Sequence, residues 1–179
     1  MKGNPITARM IPSIFTLANL MFGFLALILV NEEEYTIAAA MILVSVLMDS
    51  LDGKVARRLS VSSDFGKELD SLSDVVSFGV APAILTYQAI LHPLQLEYVR
   101  YIGLSIAVFF ALCGAVRLAR FNMLNITTHF VGVPITFAGG LLALLVFFRT
   151  MLPWYIYLVS MVLLAFLMVS TFKVAKLGK

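Results

Sequence analysis

Five stretches of this chain run without a single Asp, Glu, Lys or Arg: Met10–Asn31, Val75–Leu96, Tyr101–Val116, Phe121–Phe148 and Thr150–Phe172. A helix that crosses the hydrocarbon core of a bilayer needs about 20 mostly apolar residues. Four of the runs reach that length outright, and Tyr101–Val116 reaches it if its ends extend by a few residues. A sixth run, Tyr35–Met48, is apolar for 14 residues before it meets Asp49, and spans only if the helix continues through Asp49 and Asp52. Charged residues make up 13% of the chain, where a soluble domain carries about one-quarter, and mean hydropathy is +0.98.

The expected fold is therefore all-α: a polytopic membrane protein with six transmembrane helices at about 13–31, 35–57, 70–91, 98–118, 131–149 and 153–173. Short joints separate them, with turn or polar residues such as Asn31-Glu32-Glu33-Glu34, His92-Pro93 and Leu152-Pro153. One integral membrane domain over 1–179, with 1–12 as a short N-terminal segment, is the expected organisation. The first run is expected to remain in place, since its 22 uncharged residues exceed a signal-peptide core and the acidic joint after it lacks a small-residue cleavage site. Cys113, the sole cysteine, excludes an intrachain disulfide and a thiolate metal site, and reads as a core residue.

Basic residues set the expected orientation. With six spans, Lys2, Arg9, Lys54, Arg57, Arg58, Lys67, Arg117, Arg120, Lys173, Lys176 and Lys179 fall on one side, and only Arg100 and Arg149 on the other. Both termini should thus be cytoplasmic. The pI near 9.1 then reflects attraction to anionic headgroups of membrane lipids rather than binding of nucleic acid.

Every aspartate lies between positions 49 and 74: Asp49, Asp52, Asp64, Asp70 and Asp74. A carboxylate within a membrane costs about 2.5–3.5 kcal/mol on insertion scales, so such residues are rare and usually functional. Asp49 and Asp52 are i,i+3 on one helix face, and Asp70 and Asp74 are i,i+4 on another. Four converging carboxylates repel one another unless cations compensate them. Hard oxygen ligands suit Mg²⁺ or Mn²⁺, with Ca²⁺ possible, and two ions held by shared carboxylates form a device for phosphoryl displacement. A structural ion network with Lys54, Arg57, Arg58 and Lys67 is the competing reading. Gly53, Ala56 and Gly66 leave room beside the acids for a ligand, and Arg57 could meet an anionic group. Asp64 reads as the N-cap of the third helix, and His92 and His129 lie outside the cluster.

The string Asp49-x-x-Asp52-Gly53-x-x-Ala56-Arg57, eight residues, then Gly66-x-x-x-Asp70-x-x-x-Asp74 resembles the motif of the CDP-alcohol phosphotransferases at all eight of its fixed positions. The resemblance implies a six-helix CDP-alcohol phosphotransferase-like bundle, usually a homodimer, that transfers a phosphatidyl-type group from a CDP-linked lipid to an alcohol and releases CMP. It implies that Asp49, Asp52, Asp70 and Asp74 hold two divalent cations, with Asp74 also the general base on the acceptor hydroxyl. Gly53, Ala56, Arg57 and Gly66 would line the site of the CDP-lipid, joined by Ser62 and Lys67.

Three further segments resemble the members of the family that use L-serine. Pro12-Ser13-x-x-Thr16-x-x-Asn19-x-x-x-Gly23 is similar to their first helix, with Ser13 where many carry Asn, and implies that Thr16 and Asn19 bind the cytidine or diphosphate. Asp70-Ser-Leu-Ser-Asp74-Val-Val-Ser-Phe78-Gly79-Val-Ala-Pro82 is similar to their third helix. Arg117-Leu-Ala-Arg120-Phe-Asn122, followed by Gly132-Val-Pro134, is similar to their joint between helices four and five. Arg117, Arg120 and Asn122 would then bind serine, its carboxylate gripped by guanidinium forks. CDP-diacylglycerol or a CDP-linked ether lipid, with L-serine, is the implied substrate pair. A sister enzyme using glycerol 3-phosphate or inositol phosphate is the alternative, and a divalent-cation channel or transporter the remote one.

Overall fold

The structure is a computed structural model and describes residues 5–59, 64–124, 130–170 and 173–174. Among these the chain forms six helices: α1 (Pro5–Asn31), α2 (Tyr35–Leu59), α3 (64–91), α4 (Glu97–Leu124), α5 (Ile135–Val146) and α6 (Trp154–Val169). A two-residue antiparallel bridge, β1 (Phe130–Val131) with β2 (Lys173–Val174), is the extended pairing between described residues. The molecule is all-α. Four helices are long and apolar enough to cross a membrane, and α5 and α6 are shorter apolar helices.

Apolar side chains cover the outside as well as the core. Leu17, Met21 and Phe24 on α1, Leu104, Val108 and Leu112 on α4, and Val159, Leu163 and Phe166 on α6 are all exposed. Their helical spacing gives continuous apolar stripes, far more than a soluble monomer presents to water. This is an integral, multi-pass membrane protein.

The α1–α2 joint is tight. Glu34 N–H bonds Leu29 C=O (2.9 Å) and Glu33 N–H bonds Val30 C=O (3.1 Å), with Glu33 at φ 61°. This is the Schellman pattern, which satisfies the last carbonyls of α1 and reverses the chain. Ala26, Val30, Ala38, Ala39 and Ile42 are then buried along the hairpin seam. Small residues let the two backbones approach, which is what drives helix association where lipid replaces water.

The α3 helix runs through the middle, with Ser77, Phe78, Gly79, Ala81, Pro82, Ala83, Leu85 and Thr86 all buried. It starts at Asp64, earlier than the apolar run suggests, and carries two π-helical segments, Val75–Val80 and Tyr87–Leu91. Pro82 has no N–H, so Phe78 C=O lacks the donor that an α-helix would give it. The backbone of α5 lies against this carbonyl. A Cβ on Gly139 of α5 would lie 2.7 Å from Phe78 Cα, and one on Gly23 of α1 would lie 2.8 Å from Ser77 Cα. Two glycines thus clamp the first π segment from opposite helices.

The α5 helix is shorter than the charge-free run around it. Pro134 precedes its first turn, and beyond Val146 the chain continues in tighter turns through Arg149 N–H to Val146 C=O (3.1 Å) and Met151 N–H to Phe148 C=O (2.9 Å). The end of α6 is closed from another part of the chain. Arg120 donates through Nη1 to Val169 C=O (3.1 Å) and through Nη2 to Ser170 C=O (3.2 Å), and Val133 N–H reaches Leu167 C=O (3.1 Å). The last carbonyls of a helix lack intrahelical N–H donors, and the dipole there favours a cation; Ser170 Oγ also donates to Leu167 C=O (3.1 Å). Gly132, at φ +76°, makes the approach possible: a Cβ there would meet Leu167 O at 3.0 Å and Ser170 O at 3.1 Å.

Candidate metal centre

Helix α2 contributes Asp49 and Asp52, and α3 contributes Asp70 and Asp74, from the segment just before the first π turn. Asp49, Asp70 and Asp74 each offer a carboxylate oxygen, and the three atoms lie within 4.8 Å of one another. Asp49 and Asp70 are half-buried, and Asp74 is buried. Asp52 is buried beside them, and its charge acts on Asp49 and Asp70.

The donors found on these carboxylates are neutral and come from other helices. Thr16 Oγ1 donates to Asp52 Oδ2, and Asn19 Nδ2 donates to Asp74 Oδ1 (3.2 Å). Thr136 Oγ1 of α5 donates to Asp49 Oδ2 (3.2 Å). Asn19 is held in turn, since its backbone carbonyl accepts from Ser45 Oγ (3.0 Å) on α2 and Ser77 Oγ (3.1 Å) on α3. Its side-chain Oδ1 is buried with no hydrogen-bond partner among the described residues.

Two unit charges 4.8 Å apart repel by about 3–4 kcal/mol at an effective dielectric of about 20. Three ionised carboxylates so placed need compensating cations. Their oxygens are hard ligands converging from two helices, and the cluster fits a divalent metal ion. Gly53 is exposed, and a Cβ there would meet nothing within 4 Å, so space is open beside Asp52.

The remaining expected site residues are distributed unevenly. Gly66 is half-buried and Lys67 exposed, both on the first turn of α3, and Lys54 is exposed on α2. The backbones of Ala56 and Arg57 lie on α2, but their side chains, with those of Arg58 and Asp64, fall outside the described ones, as do Ser62 and His129 entirely. Arg117 is buried on α4, its guanidinium 5.7 Å from the centre of the Phe121 ring and its Nε without a partner among the described residues. Its positive charge acts on Asp74. Arg120 points elsewhere, to the end of α6. Asn122 Nδ2 donates to Ser71 Oγ (2.9 Å), one residue from Asp70.

Thr16 and Asn19, which the resemblance assigns to the cytidine or diphosphate, each donate to a carboxylate of the cluster. Three contributors escaped the sequence reading: Thr136, Ser45 and Ser77. The available signal was a polar residue within a buried apolar stretch, the same signal that singled out Thr16 and Asn19.

The chain matches the CDP-alcohol phosphatidyltransferase family over residues 9–172. It is 42% identical over 161 residues to the CDP-diacylglycerol–serine O-phosphatidyltransferase of Methanocaldococcus jannaschii, a match covering 90% of this chain and 71% of that protein. The protein of the same name from Helicobacter pylori is 37% identical over 150 residues, covering 80% of this chain and 59% of its own. The archaetidylserine synthase of Methanothermobacter thermautotrophicus is 41% identical over 133 residues, covering 72% and 54%. The chain thus spans a little over half of the length of the last two curated relatives it matches.

Proposed function

Since the chain belongs to the CDP-alcohol phosphatidyltransferase family, we propose that it transfers the phosphatidyl group of CDP-diacylglycerol, or of a CDP-linked ether lipid, to the hydroxyl of L-serine and releases CMP. The observation that carries this reading is the convergence of Asp49, Asp70 and Asp74 to within 4.8 Å at the family's motif, in a chain whose relatives are named for serine transfer. The names of those relatives include both phosphatidyl and archaetidyl products, so the shared part of the donor is the CDP-linked lipid.

In this reading Asp49, Asp52, Asp70 and Asp74 hold two divalent cations, Mg²⁺ or Mn²⁺, which when bound neutralise charge on the diphosphate and on the leaving phosphate. Asp74 takes the proton of the serine hydroxyl as its oxygen attacks the β-phosphorus. The bond from that phosphorus to the bridging oxygen breaks, and CMP departs with the electron pair. Gly53 and Gly66 give the nucleotide close access to the backbone, with Ala56, Arg57, Ser62 and Lys67 around it. Arg117 grips the serine carboxylate: it is buried, charged, near Asp74 and has an Nε donor to spare. Arg120 and Asn122 support the same site by fixing α6 and α3 against α4.

We further propose that the six helices form one catalytic bundle across the bilayer, in a homodimer, with both termini and the aspartates toward the cytoplasm. The eleven-to-two distribution of basic residues supports that orientation. The decisive experiment measures CMP release by purified protein with CDP-diacylglycerol and Mn²⁺, with and without L-serine, beside Asp74→Asn. Serine-dependent release that falls at least about 100-fold in the mutant is expected. Release with glycerol 3-phosphate or inositol phosphate but not serine would replace the acceptor and keep the family chemistry.

A further inference from the structure

Three of the four motif aspartates have a hydrogen-bond donor that is neutral, belongs to a different helix and lies outside the motif. Thr16 serves Asp52, Asn19 serves Asp74 and Thr136 serves Asp49. We propose that these three side chains are positioning residues that fix the rotamers of the carboxylates for cation binding, and that Thr136 on α5 sets Asp49 in this way. The proposal rests on the reading of the aspartates as cation ligands.

Charge decides what kind of donor can do this. A lysine or arginine in the same place would also orient a carboxylate, but it would cancel the negative charge that a divalent cation needs. A hydroxyl or a carboxamide orients the carboxylate and leaves its charge available. A carboxylate has about four lone-pair sites, so one neutral hydrogen bond leaves capacity for a metal ion. Groups that orient metal ligands in this way are worth 10–100-fold in affinity or activity when removed.

The geometry makes each donor specific to its acceptor. Thr16 and Asn19 lie one turn apart on the buried face of α1, so a single helix holds a carboxylate of α2 and one of α3. Asn19 cannot turn freely, because it is fully buried and its backbone oxygen takes the Ser45 and Ser77 hydroxyls. The amide presents its nitrogen to Asp74 Oδ1. Thr136 follows Pro134, whose fixed backbone starts α5, and Gly139 one turn later lets α5 lie directly against Phe78. That contact holds the Thr136 hydroxyl 3.2 Å from Asp49.

The test is Mn²⁺ binding to detergent-solubilised, substrate-free protein by isothermal titration calorimetry, for wild type, Thr136→Val and Thr136→Ser. Valine keeps the shape and removes the hydroxyl, and serine keeps the hydroxyl. Thr136→Val should weaken Mn²⁺ binding about 10-fold or more, and Thr136→Ser should bind close to wild type. In turnover, Thr136→Val should lower kcat while leaving KM for the CDP-lipid unchanged, the signature of lost organisation rather than lost ground-state binding. Wild-type Mn²⁺ affinity in folded Thr136→Val, or a raised KM with unchanged kcat, overturns the proposal. Thr16→Val carries the same test on Asp52 if Thr136→Val does not yield folded protein. Because the titration needs no substrate, it separates the two readings. A wild type that binds Mn²⁺ but releases no CMP from any acceptor discards the proposed activity and leaves the positioning roles standing.

Discussion

Replacing Gly139 with alanine should damage a site that the residue never touches. The added Cβ would lie 2.7 Å from Phe78 Cα and 2.9 Å from Phe78 C, both backbone atoms of the central helix. Carbon atoms pack best at about 3.5–4.0 Å, so α5 must move away from α3 by about 0.8 Å or more. Neither neighbour can yield by a side-chain rotation. Overpacking of this kind costs about 1–3 kcal/mol, equivalent to a drop in Tm of about 2–12 °C for a chain of this size. Thr136 is one turn from Gly139 on the same helix, and its hydrogen bond to Asp49 is already 3.2 Å long. A shift of about 0.8 Å that α5 carries with it stretches this contact by up to that amount, to at most about 4 Å, beyond hydrogen-bonding range. Gly139→Ala should therefore show both a lower melting temperature in detergent and weakened Mn²⁺ binding, the latter matching Thr136→Val. The assay pairs a thermal-shift measurement with the calorimetric titration. A Gly139→Ala protein with wild-type melting and wild-type Mn²⁺ affinity would refute the packing argument. A destabilised protein with wild-type affinity would refute the link from α5 to Asp49.

Two other expectations follow from the site. Arg117→Met should raise KM for serine at least about 10-fold with little change in melting temperature, whereas Arg120→Met should lower melting by releasing the end of α6, a loss of about 1.5–3 kcal/mol for charged hydrogen bonds; steady-state kinetics and thermal shift separate the two. Chelation with EDTA should abolish CMP release, and Mn²⁺ or Mg²⁺ should restore it. Recovery with neither ion would remove the metal from the reaction.

The helices and the acidic centre were legible in the sequence for different reasons. Charge-free runs locate apolar helices because an unpaired charge in lipid is expensive. Four of the six expected spans have the length to cross a membrane, α2 with Asp49 and Asp52 among them, whereas the runs Phe121–Phe148 and Thr150–Phe172 hold only the shorter α5 and α6. The i,i+3 and i,i+4 spacings put each aspartate pair on one face, and the structure brings Asp49, Asp70 and Asp74 together. Boundaries were less legible wherever the usual punctuation was missing. The left-handed residue in the α1–α2 joint is Glu33 rather than glycine. The end of α4 and the start of α5 lie within one uncharged run, Phe121–Phe148, so no charge marks the break between them. The polar partners were legible in kind but not in role. Nothing in the spacing of Arg117 and Arg120 shows that one stays near Asp74 while the other turns to Val169 and Ser170, because that choice depends on where α6 ends.

The π segment at Val75–Val80 gives α3 an angular consequence. Each residue of an α-helix advances the side-chain direction by about 100°. A π turn takes in one residue more than an α turn for nearly the same rotation, so the turns of α3 before Val75 and those just after Val80 are out of phase by about that angle. Asp70 and Asp74 therefore point to a sector that the buried residues beyond Val80 would otherwise occupy. The helix can bury most of its middle, with Ile84 left exposed, and still bring both carboxylates to the face shared with α2. Deleting one residue within 75–80 would regularise the hydrogen bonding and rotate the aspartates by about 100° relative to the rest of the bundle. The local irregularity of α3 is thus what brings two differently oriented surfaces of a single helix into one register.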